Sequence, residues 1–215
     1  WQIWSCIRGT ACGGRTRLFY RWQGARITDR DWEPMGIAMQ ADASFGETPG
    51  GLQAPHVIKI GKEYHMFYGD WENICLAKGT DGKTFARQLL PNGKSGMFTE
   101  GPGNNTRDIM VLRVGKLWHG YYTAYPNRQG ADYVRTSKNL RDWSLSRKVA
   151  FGGSVGTGPG SAECPFVIED DRYLVCWLPV AAPEIVEYEG NLHIAALLPS
   201  LKGIQIARLS FVPKP

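Results

Sequence analysis

The sequence lacks any long hydrophobic run. No apolar stretch approaches the roughly 18 residues that a membrane-spanning helix requires, so we expect no membrane partner. The chain begins inside apparent structure and shows no signal peptide, which leaves its location open, with a periplasmic or secreted one slightly favoured.

Cysteine is also sparse, and its count of five is odd. The absence of a CxxC pair argues against a zinc site. Cys6 and Cys12 could close a short loop, whereas Cys75, Cys164 and Cys176 are interpreted as buried thiols. No cofactor is expected, apart from a structural cation that the centre of the fold could hold.

Clustered basic charge is missing as well. The formal net charge is +5, and the 25 Lys and Arg residues are scattered along the chain. A nucleic-acid-binding protein would concentrate them on a stripe or a helix, so we expect no nucleic-acid partner.

Turn formers and aromatic residues are abundant by contrast. The chain has 26 Gly, 13 Pro, 8 Trp, 9 Tyr and 8 Phe, and almost no helical periodicity. This composition predicts an all-β domain with many short strands, and 215 residues can bury a core as one unit.

A strand, a tight polar turn and a second strand recur four times, near residues 53–68, 106–122, 161–175 and 181–195. Aligning the first large apolar residue of each second strand superposes Tyr64, Trp118, Tyr173 and Leu192. Ten residues earlier lie Ala54, Asp108, Glu163 and Ala182. In this alignment Asp108 and Glu163 occupy one repeat position, so a radial arrangement would point both carboxylates at a shared centre.

The repeat also predicts an outer hairpin. A polar turn ending on an aromatic residue recurs at 28–32, 80–85 and 137–143, and the period is roughly 55 residues. Both features favour the four-stranded blades of a β-propeller, whose period is roughly 40–50 residues in kelch-type examples. We expect one domain over 1–215, a five-bladed propeller that is incomplete in its first and fourth blades. The predicted blades are 1–42, 53–90, 106–149, 161–178 (truncated) and 181–211, separated by linkers at 41–52 and 152–160. The stretch 204–211 should be a strand that completes the last or first blade.

Several of these segments resemble the five-bladed β-propeller glycoside hydrolases, a superfamily that includes families 43, 32, 68 and 117. The resemblance lies in Ala54–Val57, Tyr64–Gly69, Arg107-Asp108 and Glu163-Cys164-Pro165. It implies three central acids: Asp108 matches the acid that orients substrate, and Glu163 matches the general acid. The acid of the first blade, a base or nucleophile, has no counterpart because its strand would precede Trp1. Ile109 stands where a proline is usual.

Converging carboxylates suit glycosidic cleavage, which needs one group to protonate the leaving oxygen and one to activate water or attack carbon. Neighbouring acids in a partly desolvated site also push each other's pKa values apart. The alternative is that Asp108 and Glu163 only accept hydrogen bonds from adjacent strand starts.

Blade geometry supplies further candidates for substrate binding, because second strands end on the face where first strands begin. Trp71 and Tyr125 could stack on a sugar ring, although Trp71 could equally pack against its own loop. Asp70, Arg107, and Arg8 or Arg128 could bind hydroxyls or an acidic group. The remaining candidate, His56, could face the pocket or a central ion, whereas His193 is interpreted as a core residue.

The sequence therefore favours a glycoside hydrolase-like protein that acts on or binds an oligo- or polysaccharide. The alternatives are a non-catalytic carbohydrate-binding propeller that has lost its base, and a structural domain that binds protein on the propeller face. Because no first-blade acid is present, we expect the chain as written to be a poor catalyst even if it binds sugar.

Overall fold

The computed structural model describes residues 1–9, 16–153, 156–168, 174–175, 182–197 and 203–210. In this part of the chain the strands form five separate sheets, and the only helical segments are 3-10 turns at Ala43–Phe45 and Pro126–Arg128. None of the described helical segments is long and apolar enough to cross a membrane. The protein is all-β.

All strand pairs within the five sheets are antiparallel. The first sheet contains β1 (Gln2–Ile7), β2 (Leu18–Gln23) and β3 (Glu33–Met39). The second contains β4 (Gln53–Ile60), β5 (Glu63–Gly69), β6 (Ile74–Gly79), β7 (Ala86–Arg87) and β8 (Gly96–Phe98). The third contains β9 (Arg107–Val114), β10 (Leu117–Ala124), β11 (Ala131–Ser137) and β12 (Arg147–Ala150). The fourth contains β13 (Val167–Ile168) and β14 (Leu174–Val175), and the fifth contains β15 (Glu184–Tyr188), β16 (Asn191–Leu197) and β17 (Ile204–Arg208).

Two-residue turns join the first strand pair of the second, third and fifth sheets. Gly61, Gly115 and Gly190 lie in these turns with φ of 60°, 59° and 70°. Tight hairpins need such left-handed residues to match the twist of the flanking strands, and glycine adopts them without steric cost. The repeated glycine next to a polar residue therefore fixes each hairpin.

The sheets pack on one another in succession. β1 contacts β4, β4 contacts β9, and β9 contacts β13. Trp1, directly before β1, meets Tyr188 of the fifth sheet edge-to-face, with ring centroids 5.4 Å apart. Sheets that pack on one another through their inner strands are consistent with a β-propeller.

Two hydrophobic clusters fill the space between neighbouring sheets. The larger lies between the second and third sheets and includes Phe67, Ile74, Ile109, Val111 and Tyr122. The smaller lies between the first and second sheets and includes Phe19, Leu52, Met66 and Tyr68. Along β5 and β6, successive residues belong alternately to one cluster and to the other. Both faces of the second sheet are therefore buried.

The linker at 41–52 is held by a buried ion pair. Glu47 accepts hydrogen bonds at 2.8 Å from Arg87 Nε and Nη2 and at 2.7 Å from the Tyr68 hydroxyl. Burial raises the pKa of Glu47, but the bonds from Arg87 and Tyr68 outweigh it and hold the pKa below its usual value. This network fixes the chain just before Gly50 and Gly51, which pair with Arg17.

The outer edges of the second and third sheets differ from expectation. In the second sheet the strand after the polar turn at 80–85 is limited to Ala86–Arg87, and β8, which was not predicted, pairs with the rest of β6. In the third sheet the strand after the polar turn at 137–143 begins only at Arg147. Trp143 instead turns inward and packs against Phe98, with ring centroids 5.5 Å apart.

The prediction for the C-terminal strand is confirmed over Ile204–Arg208, which pairs with β16 and completes the last sheet. Phe211 lies outside the described residues, as do Cys12, Tyr173 and Cys176.

Candidate active site

A β-bulge recurs at the start of the inner strands β4 and β9. Ala54 and Pro55 together oppose Tyr68, and Asp108 and Ile109 together oppose Tyr122, so the register shifts by one residue at each place. Ala54 has φ 43° and Asp108 has φ 55°. Bulges redirect side chains, and left-handed backbone at non-glycine residues concentrates at functional sites.

The same left-handed conformation marks Cys164 (φ 55°) and Ala182 (φ 51°). The residue equivalent to Asp108 is therefore Cys164, and the expectation that Asp108 and Glu163 share one repeat position is wrong by one residue. Glu163 instead matches Gln53 and Arg107, the residues that directly precede the left-handed position. Aligning the repeats on Pro55, Pro165 and Pro183 would have shown this register in the sequence.

Arg107 joins the two acids. Its Nε lies 3.2 Å from Asp108 Oδ2, and its Nη2 donates to Glu163 Oε1. A guanidinium group is only a few ångström across, so both carboxylates lie at one centre, as the sequence predicted from a different register. The side chain of Glu163 is 45% exposed, whereas those of Arg107 and Asp108 are 8% and 11% exposed.

Asp108 is the buried member of this group. Burial raises its pKa, and the nearby Glu163 charge raises it further, while Arg107 and hydrogen bonds from Cys164 lower it; the net pKa lies above its usual value. The thiol of Cys164 has a strongly raised pKa for the same reason, since burial and the Asp108 charge both disfavour a thiolate. Cys164 is thus a neutral hydrogen-bond donor behind Asp108.

A cavity of about 450 Å³ opens above these residues. It is lined by Arg17, Gln53, Asn105, Arg107, Tyr125, Arg128, Pro159, Gly160 and Glu163. The three described residues that precede a left-handed repeat position, namely Gln53, Arg107 and Glu163, all belong to this lining; the fourth, Ala181, lies outside the described residues. Among the described lining residues Glu163 is the sole acid, and Asp108 lies beneath the surface.

Two aromatic residues predicted to bind substrate lie at this cavity. Tyr125 lines it and places its ring 5.4 Å from the Arg107 guanidinium carbon. Trp71 lies next to it, with the Arg17 guanidinium 4.9 Å from its ring centroid. Trp71 has φ 83°, a strained conformation for a large side chain.

Of the other residues predicted to bind substrate, Arg8, Asp70 and His56 do not line the cavity. Arg8 is exposed and stands outside it. Asp70 is fully buried, and its carboxylate accepts hydrogen bonds from the backbone of Glu72 and the backbone and side chain of Asn73, so it caps a turn. Because these hydrogen bonds hold its carboxylate in the turn, Asp70 does not reach the cavity.

His56 faces the fifth sheet instead of the cavity. Its Nδ1 lies 3.4 Å from Glu184 Oε1 and its Nε2 lies 3.3 Å from the Val111 carbonyl oxygen. No cluster of His, Cys, Asp and Glu that could hold a metal ion occurs among the described residues. His193 is buried, as expected of a core residue.

Sequence reasoning missed Arg17, Gln53, Asn105, Pro159 and Gly160. Gln53 donates to Asn105 Oδ1 at 2.9 Å, which links the second and third sheets at the cavity wall. Gln53 could have been predicted from the sequence, because it occupies the same repeat position as Arg107. The others come from loops, where no periodic pattern identifies them.

The protein resembles known proteins in its structure and not in its sequence. No family model matches the sequence, and no curated protein matches it. Among solved structures, a thermostable family-43 glycoside hydrolase superposes with a TM-score of 0.67 at 17% identity, covering 90% of this chain and 82% of that one. The chain has the fold of the β-propeller glycoside hydrolases.

Other enzymes of this propeller fold match less of their own length. A family-32 β-fructofuranosidase from Bombyx mori has a TM-score of 0.53 at 13% identity, covering 91% of this chain and 38% of that one. The β-1,2-mannobiose phosphorylase from Listeria innocua has a TM-score of 0.57 at 13% identity, covering 85% and 50%. The chain therefore spans less than two thirds of both proteins.

Behind the acids of this propeller lies a second buried carboxylate, Asp132. The Thr123 hydroxyl donates to its Oδ1 at 2.8 Å, across the β10–β11 pair, and its Oδ2 has no partner among the described residues. Burial raises the pKa of Asp132 to about 7, and the charges of Asp108 and Glu163 contribute to the rise.

We expect Asp132→Asn to stabilise the protein by about 1–3 kcal/mol at pH 8 and by much less at pH 4. The raised pKa means that the folded state disfavours the ionised carboxylate. This penalty is absent below the unfolded pKa of about 4 and complete above about 7, and asparagine does not carry it. Urea denaturation at both pH values measures the effect, with the exposed Asp31→Asn as control. An equal effect at both pH values would contradict the expectation.

The loop that carries Pro159 and Gly160 is seated on Gly130. The Gly130 N–H donates to the Gly158 carbonyl oxygen at 2.9 Å. A Cβ at Gly130 would lie 2.6 Å from that oxygen and 2.7 Å from the carbonyl oxygen of Pro159. Only glycine allows the loop to approach this closely.

We therefore expect Gly130→Ala to displace this loop and to lower the free energy of unfolding by about 1–3 kcal/mol. The cavity should change shape with it, because Pro159 and Gly160 line the cavity. Denaturant titration and a crystal structure of the variant measure the two effects. A variant with wild-type stability and an unmoved loop would show that the close contact does not hold the loop.

Proposed function

We propose that this protein acts on an oligo- or polysaccharide in the manner of a glycoside hydrolase, at the cavity above Arg107. The observation that carries the proposal is the arrangement of one exposed and one buried carboxylate on a single guanidinium at the base of that cavity. The fold shared with glycoside hydrolases is supporting analogy.

In this proposal Glu163 is the general acid. Its exposed carboxyl reaches the cavity, where it can contact the glycosidic oxygen of a bound sugar and give it a proton as the bond to the anomeric carbon breaks. A water molecule attacks that carbon, and its second proton passes to the solvent. Asp108 supports the transition state from below, and Arg107 holds the two acids in position. Tyr125 and Trp71 offer ring faces to the sugar, and Gln53 and Asn105 offer polar groups to its hydroxyls.

A second candidate function is carbohydrate binding without cleavage. It is favoured by the observation that Glu163 is the sole acid among the described residues that line the cavity. Glycosidic hydrolysis uses two acidic groups on opposite sides of the scissile bond, and the second group must activate water or attack carbon.

A screen of arabinosides, xylosides, fructosides and galactosides, scored for both turnover and calorimetric binding, tests these proposals. Turnover supports the hydrolase proposal, and saturable binding without turnover supports the second candidate. If none of these sugars is bound or cleaved, both are wrong, and a protein-binding role for this face gains support.

A further inference from the structure

The cavity carries more positive than negative charge. Arg17, Arg107 and Arg128 line it, against the single carboxylate of Glu163. Arg107 is already paired with Glu163 and Asp108. In the described part of the chain the guanidinium groups of Arg17 and Arg128 have no carboxylate within ion-pair distance.

Arg17 is held in place and half-buried. Its guanidinium lies over the Trp71 ring, and its backbone N–H donates to the Gly50 carbonyl oxygen at 3.1 Å. Burial lowers the pKa of Arg17, and the charges of Arg8 and Arg107 lower it further, whereas Cys6 and Asp108 raise it; the guanidinium remains charged. A fixed, partly desolvated cation is stabilised when an anion binds directly beside it.

Arg128 stands on another wall of the same cavity. It ends the 3-10 turn Pro126–Arg128, where Asn127 and Arg128 have φ of 56° and 60°. Two consecutive left-handed residues without glycine are costly, and such strain is typical of positions that aim a side chain. The Arg128 side chain is exposed and therefore accessible to a ligand.

We propose that the sugar that binds in this cavity carries a carboxylate, as a uronic acid residue does, and that Arg17 and Arg128 bind that carboxylate. The proposal rests on the proposed function and specifies its substrate class. Guanidinium groups only donate hydrogen bonds, and their fork geometry matches the two oxygens of a carboxylate better than the single oxygen of a hydroxyl. A neutral sugar would leave both positive charges uncompensated.

The test compares oligogalacturonate with a neutral galacto-oligosaccharide of equal length by isothermal titration calorimetry. We expect the wild-type protein to bind the acidic sugar about 10–100-fold more tightly, and less tightly as salt rises. Arg17→Gln and Arg128→Gln should each reduce the ratio of acidic-sugar affinity to neutral-sugar affinity by about tenfold. Arg113→Gln, an exposed arginine of β9 outside the cavity, is the control.

The Arg17→Lys variant keeps the positive charge and should retain part of the preference, which separates loss of charge from loss of folding. Inorganic phosphate is a second arm of the experiment. If phosphate binds at the arginines and the two sugars bind with equal affinity, the anion that the arginines recognise is not part of the sugar, and the proposal is wrong. Equal binding of both sugars without phosphate overturns it too, but leaves the proposed function intact. Failure of both sugars, and of the broader glycoside panel, to bind overturns the proposed function as well.

Discussion

Replacing Glu163 by Gln should lower the turnover of any glycoside that the protein cleaves by about 10²–10⁴-fold. Glutamine is nearly isosteric and can still accept a hydrogen bond from Arg107, but it cannot give a proton to the leaving oxygen. The loss should be smaller for substrates with good leaving groups such as nitrophenol, because these need less protonation. Steady-state kinetics on nitrophenyl and natural glycosides measure both effects.

Sugar affinity and stability should change little in Glu163→Gln, because glutamine still accepts a hydrogen bond from Arg107, and Arg107 keeps its ion pair with Asp108. Glu63→Gln is a matched control, since its carboxylate is similarly exposed and lies in a hairpin of the second sheet. Wild-type turnover in Glu163→Gln would remove the residue from the chemistry. A large loss in Glu63→Gln would point to a general effect of charge.

Removing the guanidinium that joins the acids should have the largest effect on stability. We expect Arg107→Met to lower the free energy of unfolding by about 3–5 kcal/mol, because it leaves Asp108 as an uncompensated buried charge. Arg113→Met is the matched control on the same strand, since Arg113 is exposed and should cost well under about 1 kcal/mol.

The pH dependence of this effect identifies its cause. The pKa of Asp108 is already raised in the folded state, and loss of Arg107 would raise it further. Ionised Asp108 is then penalised increasingly as pH rises above the unfolded value of about 4, so the destabilisation should be larger at pH 8 than at pH 4. Adding Asp108→Asn to Arg107→Met should recover much of the loss at pH 8. No recovery in the double variant would mean that Arg107 acts through packing alone.

The strand layout could be predicted from the sequence because local signals repeat. Gly61-Lys62 and Gly115-Lys116 mark two-residue turns between apolar runs, and turn chemistry of this kind determines the hairpin whatever surrounds it. The closing strand at Ile204–Arg208 was predicted from another local signal, the partial alternation of apolar and polar residues. Trp143 escaped prediction because its inward packing depends on Phe98, which lies on the unpredicted strand β8.

The candidate site could be predicted only in part. The convergence of Asp108 and Glu163 was predicted from a repeat register that is wrong by one residue. Their different depths were not predicted, because the bulge at Asp108 and the conformation of Cys164 decide which side chain enters the cavity. Arg128 was a candidate in the sequence because it follows the second strand of its blade, and it lines the cavity. Arg17 reaches the cavity from a loop, and a contact of this kind arises only in three dimensions. Asp70 was misjudged because a buried turn cap and an exposed ligand look alike in sequence.

The most direct test of the proposed site is a crystal structure of the protein with an oligosaccharide that it binds in the glycoside or oligogalacturonate titrations. We expect the sugar above Arg107, with a glycosidic oxygen about 2.6–3.2 Å from a Glu163 carboxyl oxygen and a ring face against Tyr125. A sugar bound elsewhere on the protein, with the cavity above Arg107 empty, would contradict the assignment of Glu163 and Asp108 to a carbohydrate site.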